Sequence, residues 1–316
     1  MRAKASMAIL LIIGAWIVNF SLLYWSPGDV ASRYWGPEVD AVFLQNMRIE
    51  KGLHLSYWQQ LVRWTGNLLR GDLGYSWTHH RPVMEIFAET LPATLQLALL
   101  ALVIQFFVGG ALGMLSALWK GRKFGMILDA ASLAIYAMPS FWLAMLLIYF
   151  FSMKLNWLPA SGMQSMFSTN FGLGEWLLDR AWHLFLPGSI LGLVGAVATM
   201  RFVRARMIEQ MNKPFVLLAR AKGLSTGTIL CRHIFKVALL PMVTQLGLAF
   251  PVLLSGTLVI EVVFAWPGMG RLVYEALLAK DYPVILAANF MTAVLVAGGN
   301  LLADFLYRLV DPRVRI

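Results

Sequence analysis

Six stretches of this chain contain no Asp, Glu, Lys or Arg, and each is long enough to cross a lipid bilayer. A membrane-spanning helix needs about 20 mostly apolar residues. Inside a bilayer, only helices and closed barrels satisfy every backbone hydrogen bond. The stretches are Met7–Trp25, Leu91–Trp119, Ala130–Met153, Ala181–Met200, Val237–Ile260 and Tyr282–Ala303. We therefore predict an all-α integral membrane protein with six transmembrane helices.

The composition supports a membrane protein over a soluble one. Of 316 residues, 59% are hydrophobic and only 13% are charged, which is too little charge for an aqueous surface of this size. The net charge of +10 is explained by Lys and Arg retained on the cytoplasmic side, so we predict no nucleic-acid partner. Because Cys231 is the only cysteine, an internal disulfide framework and a cysteine-based zinc site are both excluded.

The distribution of basic residues predicts the orientation. With the N-terminus inside, the inner segments carry 16 of the 26 Lys and Arg residues, although the outer segments are much longer. The largest inner group is the segment Arg201–Lys236. This positive-inside bias places both termini in the cytoplasm.

The first apolar stretch is read as an uncleaved helix rather than a signal peptide. Arg2 and Lys4 precede it, but SPGD at Ser26–Asp29 offers no small-x-small cleavage pattern. We predict a transmembrane helix over 1–25, an extracytoplasmic insertion over 26–90, a core of five helices over 91–310 and a cytoplasmic tail over 311–316.

The segment Arg201–Lys236 is too long and too regularly punctuated to be a simple connector. Asn212 is predicted to cap a helix that has Pro214 in its first turn, where a missing N–H costs nothing. Gly223 suits a left-handed helix end, and Ser225 can cap the next helix. Phe215, Leu217, Leu218 and Leu224 supply apolar contacts, and Arg220 and Lys222 supply charge. We predict a rigid elbow that docks another protein; the alternative is an ordinary loop with positive-inside charges.

The motifs of the chain, in order, resemble those of one transporter family. They are SPGD (Ser26–Asp29), GNLLRGDLGYS (Gly66–Ser76), RPV (Arg81–Val83), LPATLQLA (Leu91–Ala98), MPSFWLAMLL (Met138–Leu147), WLPASG (Trp157–Gly162), ARAKGLS (Ala219–Ser225), RHIFKVALLP (Arg232–Pro241), EVVFAWPGMGRL (Glu261–Leu272), DYPV (Asp281–Val284) and DPRVR (Asp311–Arg315). The chain resembles type I ABC importer permeases of the dipeptide, oligopeptide and nickel branch, specifically the first, B-type permease subunit. The glutamate that opens the coupling motif in many ABC permeases is absent, and Leu217 is near its place.

This resemblance implies a function and a set of partners. The chain would be a bacterial inner-membrane permease of a binding-protein-dependent importer, most simply for di- or oligopeptides, with nickel or a metal chelate as the alternative. Its partners would be a second homologous permease, two cytoplasmic ATPase subunits, an extracytoplasmic solute-binding protein and membrane lipid. The coupling residues would be Ala219, Arg220, Ala221, Lys222, Gly223 and Leu224.

The motif WPGMG after the fifth stretch is a second candidate region. Its proline and glycines predict a sharp outer turn. By resemblance this turn would face the binding protein and the outer mouth, with Glu261, Trp266, Pro267, Gly268 and Arg271 as gate candidates. The alternative is an ordinary interfacial turn in which the tryptophan anchors the chain at the membrane surface.

Missing motifs exclude several activities at the level of sequence. No G-x-x-x-x-G-K-[ST] phosphate loop occurs, so we predict that the chain is not an enzyme, binds no cofactor and leaves ATP to partner subunits. A secondary transporter or channel is the alternative of another class, but matched broken helices and intramembrane charge pairs are not evident. Asp129 and Asp304 are interpreted as packing residues, and His54, His79 and His80 as surface residues.

Overall fold

The computed structural model describes residues 2–28, 41–166, 168–235 and 257–310. The stretch 237–256, which holds most of the predicted fifth span, and the tail 311–316 lie outside these residues. The α-helices are α1 (Arg2–Tyr24), α2 (Ala41–Glu50), α3 (Tyr57–Leu69), α4 (Val83–Leu118), α5 (Lys123–Ala137), α6 (Ser140–Leu147), α7 (Leu173–Met211), α8 (Pro214–Ala221), α9 (Thr226–Thr228), α10 (Leu258–Val263), α11 (Met269–Ala279) and α12 (Tyr282–Val310).

Four helices of the described residues are long and apolar enough to cross a membrane. They are Ser6–Tyr24 in α1, Val83–Leu118, Leu173–Met211 and Tyr282–Leu301 in α12. Extended pairing in the described part of the chain is limited to a single antiparallel bridge between Tyr75 and Pro82. The predicted all-α membrane fold is therefore confirmed.

The predicted third span is not one straight helix. Helix α5 and the segment Ser140–Lys154 are bent by 106° at Met138 and Pro139. Met138 has an extended backbone (ψ 132°), because the residue before a proline is excluded from the helical region. A π-helical turn, Ile148–Lys154, continues α6. If the bent pair crosses as one span, the described residues contain five spans.

Two helices extend well beyond the charge-free stretches that predicted them. Helix α4 has 36 residues and begins eight residues before Leu91, and α7 has 39 residues. Both carry an internal proline, Pro92 in α4 and Pro187 in α7. The search for charge-free stretches missed the N-terminal end of α4 and both ends of α7. Helical hydrogen bonding continues there through charged turns outside the apolar core of a bilayer.

The chain divides into two compact units, with boundaries within α4, within α12 and in the turn before α11. One unit comprises 1–92 and 268–298, and the other comprises 93–267 and 299–316. In the first unit, apolar residues of α1, α3, α4, α11 and α12 form two buried clusters. A buried Asp281 carboxylate there accepts hydrogen bonds from Ser76 Oγ at 2.6 Å and from Thr78 N at 2.9 Å. The predicted division at residues 25, 90 and 310 stays a prediction.

In the second unit, α4 and α7 approach closely through glycines on both helices. A Cβ atom at Gly109 would lie 2.7 Å from Ala196 O, and one at Gly113 would lie 2.7 Å from Met200 O. On α7, Gly192 faces Ile104 in the same way. These small residues permit the close helix contact, and any larger residue would force the two helices apart.

Candidate functional site

Helix α8 and the turn that follows it form the predicted elbow. Pro214 is the first residue of α8, and Lys213 occupies the N-cap position with an extended backbone. The prediction that Asn212 caps this helix is therefore wrong by one residue, because Asn212 instead ends α7. No side-chain hydrogen bond caps α8, so Pro214 and its fixed φ define where the helix begins.

The elbow turns at Gly223 through a complete Schellman motif. Leu224 N donates to Ala219 O at 3.3 Å, and Gly223 N donates to Arg220 O at 2.9 Å. Gly223 has φ +75°, a left-handed conformation that favours glycine. After the turn, Ser225 Oγ accepts a hydrogen bond from Thr228 N at 3.3 Å, which caps the next helical segment. The sequence prediction of this corner and of the Ser225 cap is confirmed.

One face of the elbow is anchored to the ends of longer helices. Val216 and Ala219, one turn apart on α8, are buried. They pack in an apolar cluster with residues of α4, α7 and the π-helical turn Ile229–Ile234. The α4 and α7 members are Ala117, Val203 and Met207. The elbow is therefore packed directly against the ends of α4 and α7.

The opposite face of the elbow is apolar and exposed. Leu217 and Leu218 are 61% and 58% exposed, and Leu224 is 39% exposed. Arg220 and Lys222 are exposed beside them. Exposed leucines that flank basic side chains on a rigid corner form a surface suited to binding a protein.

The turn after α10 is built on the same backbone motif as the elbow. Trp266 N donates to Glu261 O at 2.8 Å, and Ala265 N donates to Val262 O at 3.2 Å. Ala265 occupies the left-handed position with φ +49°. This turn holds a non-glycine residue in a conformation that L-residues adopt at a cost of roughly 1–2 kcal/mol.

Two side chains of this turn, which we call the outer turn after its predicted location, are buried, whereas Ala265 and Pro267 are exposed. The Trp266 side chain is fully buried, and its Nε1 donates to Ala93 O at 3.0 Å. Glu261 is also fully buried, and its Oε1 accepts a hydrogen bond from Thr94 Oγ1 at 2.7 Å. The alternative of an exposed interfacial tryptophan is wrong, because the indole packs in a cluster with Ala93 and Leu97.

The remaining gate candidates begin the next helix. Gly268 is the N-cap residue of α11, and its carbonyl accepts a hydrogen bond from Leu272 N at 3.1 Å. Arg271 donates through Nε to Glu275 Oε1 at 2.7 Å along the same helix. Glu261, Trp266 and Pro267 belong to one compact unit, and Gly268 and Arg271 belong to the other.

Several polar contacts near these regions were not predicted. Thr94 and the Ala93 carbonyl hold Glu261 and Trp266, and although both residues lie in the motif LPATLQLA, that motif does not indicate these partners. Asp129 was interpreted as a packing residue, and its hydrogen bond from Ser116 of α4 agrees with that interpretation, but its ion pair with Arg204 at 2.9 Å was not predicted. A charged residue close to a membrane span is the available signal for such a pair, although its partner is not evident from the sequence.

Comparisons with known proteins show related chains along nearly the full length. Residues 109–316 match the family described as "Binding-protein-dependent transport system inner membrane component". The oligopeptide transport system permease protein AppB of Bacillus subtilis is 33% identical over 98% of this chain and 97% of its own length. The di/tripeptide permease protein DppB of Pseudomonas aeruginosa is 34% identical, covering 96% of this chain and 94% of its own.

The dipeptide permease protein DppB of Escherichia coli is 33% identical over 96% of this chain and 94% of its own length. Among solved structures, a chain of the inward-facing MetNI methionine ABC transporter matches with a TM-score of 0.55 and 15% identity. The match covers 72% of this chain and 97% of that chain. At this identity, the structural match concerns the fold alone, and the fold is that of an ABC importer permease.

Proposed function

The chain belongs to the family of binding-protein-dependent transport system inner membrane components, and from this premise we infer that it is a peptide permease of an ABC importer. The observation that carries this function is the similarity to peptide permeases over almost the whole chain. The apolar helices and the described corner at Gly223 agree with it. None of these relatives is named for nickel, so the nickel alternative is not favoured.

The proposed function implies the types of partner subunit and, in more detail, how many of each there are. A binding-protein-dependent ABC importer works with ATPase subunits and a solute-binding protein. In our proposal this chain also pairs with a second, homologous permease and acts with two copies of the ATPase subunit. It is not an enzyme and binds no cofactor, since its sequence contains no phosphate loop for ATP.

The elbow is proposed to be the contact with the ATPase. Support comes from its two faces: Val216 and Ala219 are buried against α4 and α7, whereas Leu217 and Leu218 are exposed. ATP-driven closure of the ATPases would move this surface, and the buried face would pass the movement to the two long helices. Such coupling requires an element with two arrangements that the nucleotide biases.

The outer turn is proposed to line the outer mouth of the path. The buried Glu261 and Trp266 support this role, because they hold the turn against α4 at Ala93 and Thr94. A turn held in this way offers a fixed surface against which a binding protein can deliver its solute. Pro267, Gly268 and Arg271 stay gate candidates in this proposal.

Both termini are proposed to be cytoplasmic in a bacterial inner membrane. The support is the excess of Lys and Arg in the segments that this orientation places inside. A topology reporter fused at Thr226 should report the cytoplasm, and one fused at Gln164 should report the outer side. The opposite pair of results would reverse the orientation.

The decisive experiment reconstitutes the permease with its partners in proteoliposomes. We expect uptake of a labelled dipeptide that requires both ATP and the binding protein, and no ATP hydrolysis by this chain alone. Uptake driven by an ion gradient without ATP would instead identify a secondary transporter. Uptake of nickel but not of peptides would establish the alternative substrate.

A further inference from the structure

Helix α5 is attached to its neighbours by polar groups around Asp129 and by an apolar contact near its C-terminal end. The buried residues of α5 are Gly125 and Ser132. Asp129 lies on the same helix face, at spacings of four and three residues from them. Near the end of the helix, Ile135 packs against the apolar cluster of α6 and α7. The contacts of Asp129 are therefore the polar part of this attachment.

Asp129 joins three helices through its two carboxylate oxygens. Its Oδ2 lies 2.9 Å from Arg204 Nη2 on α7, and its Oδ1 accepts a hydrogen bond from Ser116 Oγ on α4 at 2.7 Å. The side chains of Arg204 and Asp129 are 32% and 37% exposed. Arg204 Nε is buried and has no hydrogen-bond partner among the described residues. The pair is thus neither an open surface ion pair nor a fully satisfied buried one.

The position of the pair connects it to the elbow. Ser116 directly precedes Ala117 on α4, and Arg204 directly follows Val203 on α7. Ala117 and Val203 both belong to the apolar cluster that anchors α8. Further along, α4 and α7 are held at close distance by the contacts of Gly109 and Gly113. Elbow, α4 and α7 are therefore closely packed, and α5 is attached to them through Asp129.

The other end of the bent pair is attached differently. Leu143 and Ala144 of α6 pack with Leu186 and Ile190 of α7 in an apolar cluster. An apolar contact resists separation through the area it buries, whereas an ion pair can be exchanged for water or another partner at small net cost. The attachment at Asp129 is consequently the one that can open and close.

Resting on the proposed function, we propose that the Asp129–Arg204 pair is the joint through which movement of the elbow reaches the bent α5–α6 pair. In this proposal Asp129 and Arg204 are positioning residues, which hold α5 to the helices that the elbow moves. Breaking the pair should leave ATP hydrolysis running while fewer solute molecules move per ATP.

The test uses the complete reconstituted transporter and measures dipeptide uptake and ATP hydrolysis on the same proteoliposomes. For Asp129→Asn and Arg204→Gln we expect uptake to fall about tenfold at near-normal ATP hydrolysis, the scale of an ordinary coupling between two sites. Ser116→Ala keeps the ion pair. Uptake by this variant should therefore fall only about twofold, less than a typical coupling between two sites. Arg122→Gln is the matched control, since Arg122 lies over Trp119 and should retain normal uptake.

A charge exchange separates coupling from simple packing. The double variant Asp129→Arg with Arg204→Asp should recover uptake above both single variants. The proposal is overturned if the single variants keep the wild-type ratio of peptide to ATP, or if the exchange recovers nothing while all variants insert and hydrolyse ATP. Loss of all variants from the membrane would also overturn it, because the pair would then be a folding contact. A wild-type complex that moves no peptide would refute the proposed function instead.

Discussion

The elbow and the outer turn end their helices with the same two backbone hydrogen bonds but differ in what their side chains do. At the elbow, the residue after the left-handed position is Leu224, which is 39% exposed. At the outer turn the corresponding residue is Trp266, which is fully buried. Both regions are held by buried side chains, Val216 and Ala219 at the elbow and Trp266 and Glu261 at the outer turn, but the elbow presents leucines outward beside its corner.

This difference shows that the backbone motif of a turn fixes the geometry of the turn but does not determine its function. Burial of the side chains around the turn decides whether it presents a surface to a partner or belongs to the core of its own unit. Glycine suits the exposed corner because it adopts the left-handed conformation without strain. A Cβ at Gly223 would meet no atom within 4 Å, so a larger residue there would cost only the strain of its backbone conformation. At the outer turn, buried Trp266 and Glu261 hold Ala265 in the strained position.

The largest expected effect is on the stability of the outer turn. Trp266→Ala should lower the free energy of unfolding by about 3–5 kcal/mol, because it empties a buried indole site. Trp266→Phe retains most of the apolar volume and should cost less, about 0.5–1.5 kcal/mol, for the lost hydrogen bond to Ala93 O. Thermal unfolding of the purified permease in detergent measures both.

The matched control for this prediction is Trp182→Ala on α7, where the indole is 55% exposed. We expect a change of about 0.5 kcal/mol or less, as for other exposed positions. Equal destabilisation by Trp182→Ala and Trp266→Ala would remove the distinction between a buried outer turn and an exposed surface.

At the elbow, the expected effect is on transport rather than on stability. Leu217→Asp should reduce ATP-driven dipeptide uptake at least about tenfold, because docking would bury an unpaired carboxylate. The unfolding temperature should not change, since Leu217 is 61% exposed. Leu173→Asp, at a leucine 77% exposed at the start of α7, is the control and should transport at the wild-type rate. Normal uptake by Leu217→Asp would contradict the docking role.

The sequence predicted what depends on local chemistry. Charge-free stretches identified the four long apolar helices of the described residues, and Pro214, Gly223 and Ser225 identified the corner of the elbow through their own backbone preferences. The stretch Ala130–Met153 was predicted as one span, yet the chain bends by 106° at Met138 and Pro139. Whether a proline bends or breaks a membrane helix depends on neighbouring helices that sequence order does not reveal.

The contacts that hold the two candidate regions were not predictable in the same way. Glu261 meets Thr94 across 167 positions of sequence, and Asp129 meets Arg204 across 75. Neither pairing follows from helix periodicity, because each depends on how whole helices pack. The same holds for Trp266, whose proximity to a proline and glycines suggested an exposed turn although packing buries it.

The smallest expected effect comes from exchanging the residues at the two left-handed positions. Gly223→Ala should destabilise by about 1 kcal/mol, because an L-residue in this conformation costs roughly 1–2 kcal/mol and the less flexible unfolded chain offsets part of it. Ala265→Gly should change stability by about 0.5 kcal/mol or less, since relief of strain opposes the added entropy of the unfolded glycine. Gly223→Asn is the control, as asparagine tolerates this conformation better than alanine.

Thermal unfolding of the four proteins, including the wild type, measures this exchange, and uptake assays separate strain from docking. Because the side chain of residue 223 meets open space, Gly223→Ala should lose uptake only as far as strain shifts the corner. If Gly223→Ala and Ala265→Gly changed stability equally and in the same direction, backbone strain would not distinguish the two turns. Their contrast would then rest on the buried Trp266 and the exposed Leu224 alone.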